Sequence, residues 1–556
     1  VKRLLCLVLF LVGCTTIATE GPVEEISVPA DQPGIEIAPQ PPQPDDSQAR
    51  IVEGFLLAIA DPDSDFSVAQ TYLTADAANR WSPTEELTVY AGNLVESEDG
   101  ITANGQVVGR VNRQGHFQPA TDRLEHNFGV VEEAGQWRIS NPPEQVLITQ
   151  YLFERYYAPI TIYFADSAGQ NLVPDFRVVP ETRRTPESVV RRLFQGPSPR
   201  LKPIVYDPMP ATVRLAREGA SIDELGTVTV DFAGLDIGMA MEQRRLLGAQ
   251  LLWSMAAVPR VTGLRVHSDG WPFHLPGQNA SGVLTLDTLH SYQVLSHVPA
   301  GELLAVREGV VGYISEADEF RPMGLNSSAA EVAVSIDQRK ICVVNAGRST
   351  MVLGERDQQL DPVSPELTGL RETQWAGGKL YGLGEDARGH TRLFRVSQER
   401  ELELLRMEYP EDQRIRSFSI NQAGGWVAVL PTGDDAGLVM ATLNAGELRG
   451  WQRMPVYLPS GEEVTQLRDV RWTSDSTLVV LGQVGDTQAV FSLRADGTEV
   501  RELGRFTEHV GSVTALPRAG GGPVAARLRN GTVLKHVPPN RWVSTEIEAS
   551  SITYAG

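Results

Sequence analysis

The stretch SFSINQAGGWVAVL, residues 417–430, reads as two strands separated by a turn: apolar positions flank the polar and glycine-rich Asn421-Gln422-Ala423-Gly424-Gly425, and an apolar run follows from Trp426. It has four companions: VAVSIDQRKICVV (residues 332–344), TQWAGGKLYGLG (373–384), DVRWTSDSTLVVLG (469–482) and SVTALPRAGGGPVAARL (512–528). In most of them a polar turn such as Asp337-Gln338-Arg339-Lys340 or Ser474-Asp475-Ser476 divides two strands. They recur at about 40–50 residues, the length of a four-stranded propeller blade. Residues 291–556 are therefore expected to form an all-β propeller of six blades, with five or seven allowed. LAVREGVVGYI (304–314) and RWVSTEIEA (541–549) are available to close the ring. Two stacked β-sandwiches are the other arrangement the pattern permits.

Upstream, the segment 144–290 changes character. PPEQVLITQYLFERYYAPI reads as a linking helix running into a strand, and ITIYFADSAGQNLVPDFRVVP as two strands around a Ser-Ala-Gly turn. TPESVVRRLFQGPS has the marks of a bounded helix: Thr185 at the N-cap, Pro186 in the first turn, Gly196-Pro197 as the stop. TVTVDFAG is a strand, MEQRRLLGAQLLWSMAAVP a long helix, and VTGLRVHSDG a closing strand. Strand pair, helix, strand, helix, strand predicts a small α+β sandwich.

The segment 48–143 opens with two runs at helical spacing, IVEGFLLAIA and FSVAQTYLTADAANRW, separated by Asp61-Pro62-Asp63-Ser64-Asp65. The strand-rich LTVYA, ITANGQVVGRVN, RLEHNFGVVEE and QWRIS follow. Two helices leading into a strand meander resemble the α+β cone of NTF2-like domains, a shell that hosts many functions. The alternating aspartates look like a calcium loop, but Phe66 and Tyr72 stand where such a loop needs Gly and Glu, so a solvated loop capping the second helix is expected.

Residues 15–47 carry Glu20, Glu24, Glu25, Asp31, Glu36, Asp45 and Asp46 without a Lys or Arg, together with seven prolines. Such a segment buries too little to fold and is expected to act as a disordered acidic tether. Residues 1–14 join Lys2-Arg3 to the apolar run Leu4–Val12 and end at Leu11-Val12-Gly13-Cys14, the string of a lipobox. The run is too short to span the bilayer and has the order of an export signal. Cys14 is the expected lipid anchor, S-diacylglyceryl-modified and N-acylated, palmitate being one such acyl group. Two acyl chains at ~0.8 kcal/mol per buried methylene hold a protein where one would not.

Across 556 residues the charge is 49 − 70 = −21, and 47 − 70 = −23 once the signal is removed. This excess opposes nucleic-acid binding, and 42% hydrophobic with 21% charged residues excludes a polytopic membrane protein. With Cys14 acylated and Cys6 removed, Cys342 is a lone thiol and no internal disulfide forms. The chain has no HExxH, Walker A, GxSxG or zinc-spaced Cys pairs, and Gly382-Leu383-Gly384 opens no helix. The nine His residues are scattered, with His267/His274 and His290/His297 as the closest pairs. Glu132-Glu133 and Asp434-Asp435 read as solvated strand edges, and Asp231 and Trp253 as a helix cap and a core anchor. No catalytic, metal or cofactor-binding residue is assigned, no cofactor is expected, and the chain is read as a non-enzyme.

YFADSAGQNLVPDFRVVP, LFQGPSP and VTVDFAG, followed by the glutamine-bearing helix, resemble a GerMN domain. The whole order of lipobox, acidic tether, YLTADAANRWSP segment, GerMN-like module and β-rich half resembles the LpqB family of actinobacterial lipoproteins. The expected architecture is thus multidomain: NTF2-like, GerMN-like, then propeller. The resemblance implies a protein held by lipid on the extracytoplasmic face of the cell membrane. Its implied partner is the external domain of a sensor histidine kinase, that of the Mtr two-component system, with effects on cell-wall and division regulation. The alternative reading is a cell-wall glycan-binding lipoprotein, in which Trp375, Trp426, Trp451 and Trp472 of the propeller stack on sugars.

Overall fold

The computed structural model describes residues 39–556 apart from 64, 99, 293, 294, 296, 297, 299, 300, 326, 327, 364, 365, 398, 399, 408–413 and 434–436. The signal with Cys14, most of the acidic tether, His297 with the side chain of His290, and Asp434-Asp435 lie outside the described residues.

In the first module the helix Gln48–Ala60 is capped by Ser47, whose hydroxyl accepts from the Arg50 amide, and lays Ile51, Phe55 and Ile59 against a sheet. The sheet is a long hairpin of Thr84–Ser97 and Gly100–Val111, flanked by Phe117–Pro119 and Arg123–Asn127. Phe55 meets Trp81 at 5.4 Å and Phe128 at 6.3 Å between ring centroids. The second helical run is two short helices, Ser67–Thr71 and Ala75–Arg80. Thr74 divides them, because its hydroxyl accepts from Ala77 N and its own amide donates to Ile139 O at 2.9 Å.

The linking segment also differs from expectation. Gln145–Thr149 is a strand, pairing in parallel with the hairpin at Leu87↔Val146, and only Gln150–Tyr156 is helical. Val146, Leu147 and Ile148 are all buried, and this consecutive apolar run satisfies a two-sided strand better than one helix face.

The second module begins with the hairpin Tyr157–Asp166/Leu172–Pro180. Helix Pro186–Phe194 carries a full capping box, Thr185 with Ser188, and stops before Gly196 at φ +74°. A second sheet pairs Arg214–Ile222 with Thr227–Ala233, which runs parallel to Gly263–Ser268. The strand Arg214–Ile222 escapes the sequence reading because Arg214 and Arg217 interrupt its apolar pattern. Helix Met241–Met255 is buried continuously from Leu246 onward, and Ser254 Oγ accepts from Tyr163 N at 2.9 Å.

From Leu303 onward the described strands form six sheets arranged as propeller blades. Their innermost strands are Ser551–Thr553, Ala329–Val334, Thr368–Ala376, Ile415–Ile420, Thr465–Trp472 and Val510–Ala515, for blades 1 to 6 in turn. Closure is made by the last strand: Ser551–Thr553 pairs with Leu304–Val306 of blade 1. The expected closing segment at 541–549 is instead the outer strand of blade 6. Beyond it, Tyr554 N donates to Thr514 Oγ1 and Gly556 N to Val334 O, both at 2.9 Å, locking blade 6 to blade 2 across the seam.

The Gly424-Gly425 pair of the 417–430 stretch has two separate causes. Gly424 holds φ +79°, and a Cβ at Gly425 would lie 2.5 Å from Val173 of the second module. The first and second modules meet through Val178 N donating to Gly115 O at 2.7 Å and the Arg183–Asp63 ion pair at 2.9 Å.

Candidate functional sites: a polar channel and an apolar patch

The propeller axis is a cavity of about 480 Å³ lined by residues of the inner strands. A chain of polar groups crosses it from blade 2 to blade 6. Glu331 accepts from Thr373 N at 2.5 Å and Thr373 Oγ1 at 2.8 Å, and pairs with Arg348 at 3.3 Å. Arg471 pairs with Glu372 and with Asp469, each at 2.8 Å. Ser417 Oγ lies 2.8 Å from Asp469 and 3.0 Å from Glu372, and Val513 N donates to Asp469 Oδ2 at 2.8 Å. Glu372 sits at φ +55° in a bulged strand, an unusual conformation for a side chain of this size, and its carboxylate reaches Arg471 from there.

Burial pushes the Asp469 carboxyl up to about 6, with Arg471 pulling against it and Glu372 adding to it. Burial, then Glu372, also raises Glu331. For Arg471 burial opposes the charge, but Asp469 and Glu372 outweigh it and the guanidinium is held above its ordinary value. The network satisfies itself and ties blades together. The Cys342 thiol is buried against Met351 at 3.8 Å and pushed well above the ordinary thiol range, so it is a poor nucleophile. Among the described residues no group of three His, Cys, Asp or Glu side chains could hold a metal ion, and no helix is long and apolar enough to cross a membrane.

The surface has a different candidate at one end of the second module. Ile237 is 81% exposed, Trp271 78% and Met241 56%, where large apolar side chains are ordinarily covered. Ile237 and Met241 flank the loop entering helix Met241–Met255, and Trp271 caps the turn after Gly263–Ser268. The two segments are bolted together: Gly234 N donates to Asp269, Ser268 Oγ to Leu235 O, and Arg244 to the carbonyls of Ile237 and His274. Arg244 also stacks over Phe273 at 4.5 Å. The apolar side chains are thus presented from a hydrogen-bonded backbone, on which Asp231 accepts from Gly270 N, Asp269 from Gly234 N, and Glu242 pairs with Arg245 at 3.4 Å.

Several residues singled out in the sequence take other roles. Of the four tryptophans read as sugar platforms, Trp375, Trp426 and Trp472 are at most 5% exposed and offer no face to a sugar, and Trp451 is half-buried against the core of blade 4. Asp63 is the partner of Arg183 in the second module, and Asp65 accepts from Ser67 N. Asp231 accepts from Gly270 N and so fixes the Trp271 turn instead of capping a helix, while Trp253 anchors the core and donates to Leu289 O at 3.2 Å. The channel network has almost no local signature in the sequence. Its one sequence trace is Asp469 and Arg471 two apart on a strand, hence on one face.

Residues 41–154 match the family described as "Lipoprotein LpqB, N-terminal domain" and residues 161–273 the one described as "Sporulation and spore germination". The chain is 29% identical over 577 aligned residues to "Lipoprotein LpqB" of Cutibacterium acnes, covering 96% of this chain and 95% of that one. It is 25% identical to "Lipoprotein LpqB" of Thermobifida fusca, covering 99% and 98%. Among solved structures, that of a nidogen/laminin complex aligns with 46% of this chain and 98% of its own at 9% identity, TM-score 0.35. The tandem GerMN domains of GerM from Bacillus subtilis align with 28% of this chain and 58% of their own at 16% identity, TM-score 0.21.

Proposed function

Because the chain belongs to the LpqB lipoprotein family, we propose that it is an accessory protein held by Cys14 on the extracytoplasmic face of the cell membrane, where it modulates the Mtr sensor histidine kinase by protein contact. It acts through binding, without catalysis of its own, and through the kinase it influences cell-wall and division programmes. The observation that carries the reading is the rigid apolar patch of Ile237, Met241 and Trp271. An exposed Trp among aliphatic side chains is the composition of an interface hot spot. Lipid confinement raises the local concentration of two proteins on one membrane, so modest intrinsic affinity suffices.

Trp271→Ala is expected to weaken binding of the kinase's external domain by about 30-fold or more, the effect of losing ~2 kcal/mol at a hot spot. Titration of the full chain with that domain, together with kinase autophosphorylation in shared vesicles, reads it. Unaltered affinity and output in the variant would rule the patch out. In cells, Cys14→Ala is expected to abolish incorporation of labelled fatty acid and to release the protein from the membrane fraction; persistent labelling would place the anchor elsewhere.

A further inference from the structure

Between the first and second modules lies a cleft of about 490 Å³, within the ordinary size of a small-molecule site. Four arginines line it: Arg113 from the first module, and Arg183, Arg191 and Arg192 from the second. Two are already neutralised, Arg183 by Asp63 at 2.9 Å and Arg191 by Glu187 at 2.6 Å. The other two are not. Arg192 donates to the Arg113 carbonyl at 2.8 Å and to Gln195 Oε1 at 3.3 Å, both uncharged acceptors, and among the described residues no carboxylate pairs with it or with Arg113.

An uncompensated, partly buried guanidinium is unfavourable, and an anion entering the cleft would relieve it. The positive field reaches the neighbouring His116, held at about 3 by burial first and then by Arg177 and Arg192. Burial, then Arg177, also pulls Arg192 down. Asp61 is the one carboxylate in the lining, and four arginines against it, in a chain of net charge −21, are a local inversion of sign. All four cations are arginines, whose planar fork matches a pair of phosphate oxygens where an ammonium would act only as a point charge. The cleft is not wholly polar: Phe66, Tyr157 and Val178 also line it, so its walls suit hydrocarbon.

We propose that this cleft binds a phosphate ester carrying alkyl chains, the phosphate between Arg113 and Arg192 and the hydrocarbon on the apolar wall. The ligand would straddle the two modules. The inference is independent of the kinase reading, since none of these residues belongs to the Trp271 patch.

Three probes separate the parts of the ligand, applied to the full lipidated chain in nonionic detergent and read by native mass spectrometry and calorimetric titration. Dioctanoylphosphatidylglycerol has both parts, dioctanoylglycerol only the chains, and inorganic phosphate only the charge. The phosphatidylglycerol is expected to bind at one per chain, at least about tenfold more tightly than either half. Arg113→Gln, which removes an exposed guanidinium with no hydrogen bond or ion pair among the described residues, is expected to weaken it by about fivefold or more with an unchanged melting temperature. Adding Arg192→Gln should abolish binding, and Trp271→Ala should leave it intact. Equal affinity for dioctanoylglycerol would reduce the site to a greasy surface, and equal affinity for inorganic phosphate would remove the amphiphile; either result, or indifference to Arg113→Gln, overturns the proposal.

Discussion

Replacing Arg471 by methionine is expected to destabilise the propeller by about 3–5 kcal/mol, the cost of removing one partner from a buried ion network. The side chain joins Glu372 of blade 3 to Asp469 of blade 5, and Asp469 in turn accepts from Val513 of blade 6. Methionine fills much of the volume but leaves Glu372 and Asp469 facing one another without the guanidinium that pairs with both. The loss should appear as faster amide exchange in the inner strands Thr368–Ala376, Ile415–Ile420 and Thr465–Trp472. Exchange is the better readout here, since a chain of several modules need not unfold in two states. Adding Asp469→Asn should restore part of the loss by deleting one of the stranded charges, which a defect of packing alone would not do.

Acidity supplies a second signature. In the folded chain Asp469 keeps its proton to about 6, above its ordinary 3.8, so between those values the folded state binds more protons than the unfolded one. Stability therefore falls as pH rises through that window. Without Arg471, which holds the carboxyl down, the window moves higher. The deficit of Arg471→Met should be greatest at neutral pH and shrink as Asp469 is neutralised in acid. A deficit independent of pH between 4 and 7 would mean that shape, and not charge, makes Arg471 necessary.

These interactions mark the boundary of what the sequence discloses. Blade spacing is local: each pair of strands and its turn lies within about fifteen residues, so periodicity exposes the propeller around residues 417–430. The closing strand is three residues long, Ser551–Thr553, too short to have a period, and the longer segment beside it attracts the assignment. Val146, Leu147 and Ile148 could belong to a helix or a two-sided strand, and only the hairpin edge at Leu87–Tyr90 decides between them. The sites are less legible still. Arg471 and Glu372 are 99 residues apart, and Arg192 meets the Arg113 carbonyl across 79. No local pattern carries such pairs. Buried tryptophans and exposed ones also look alike in sequence: Trp426, offered as a sugar platform, is in the core, while Trp271, which drew no notice, stands in solvent.

Trp426→Ala is expected to be as damaging as the loss of Arg471, at about 3–5 kcal/mol, and to damage a different thing. The indole N–H donates to Pro174 O at 2.8 Å, its ring packs on Phe176 at 5.6 Å, and Arg200 lies over it at 5.0 Å. Pro174, Phe176 and Arg200 all belong to the second module, so one propeller side chain gathers three of its contacts. Arg200 then donates to Gly450 O, Met440 O and Gln452 Oε1, all uncharged, and burial holds it down to about 10. With no carboxylate in that set, the face of the indole is the group that favours its charge. Removing the ring both opens a cavity and strips the guanidinium of that support, so the two modules should lose their coupling before either loses its fold. In calorimetry of the full chain, a transition shared by the second module and the propeller should split in two. Trp426→Phe keeps a ring under Arg200 but cannot reach Pro174, and should cost only about 1–2 kcal/mol while the shared transition survives. If phenylalanine uncouples the modules as fully as alanine does, the N–H to Pro174, and not the stacked cation, is the joint between them.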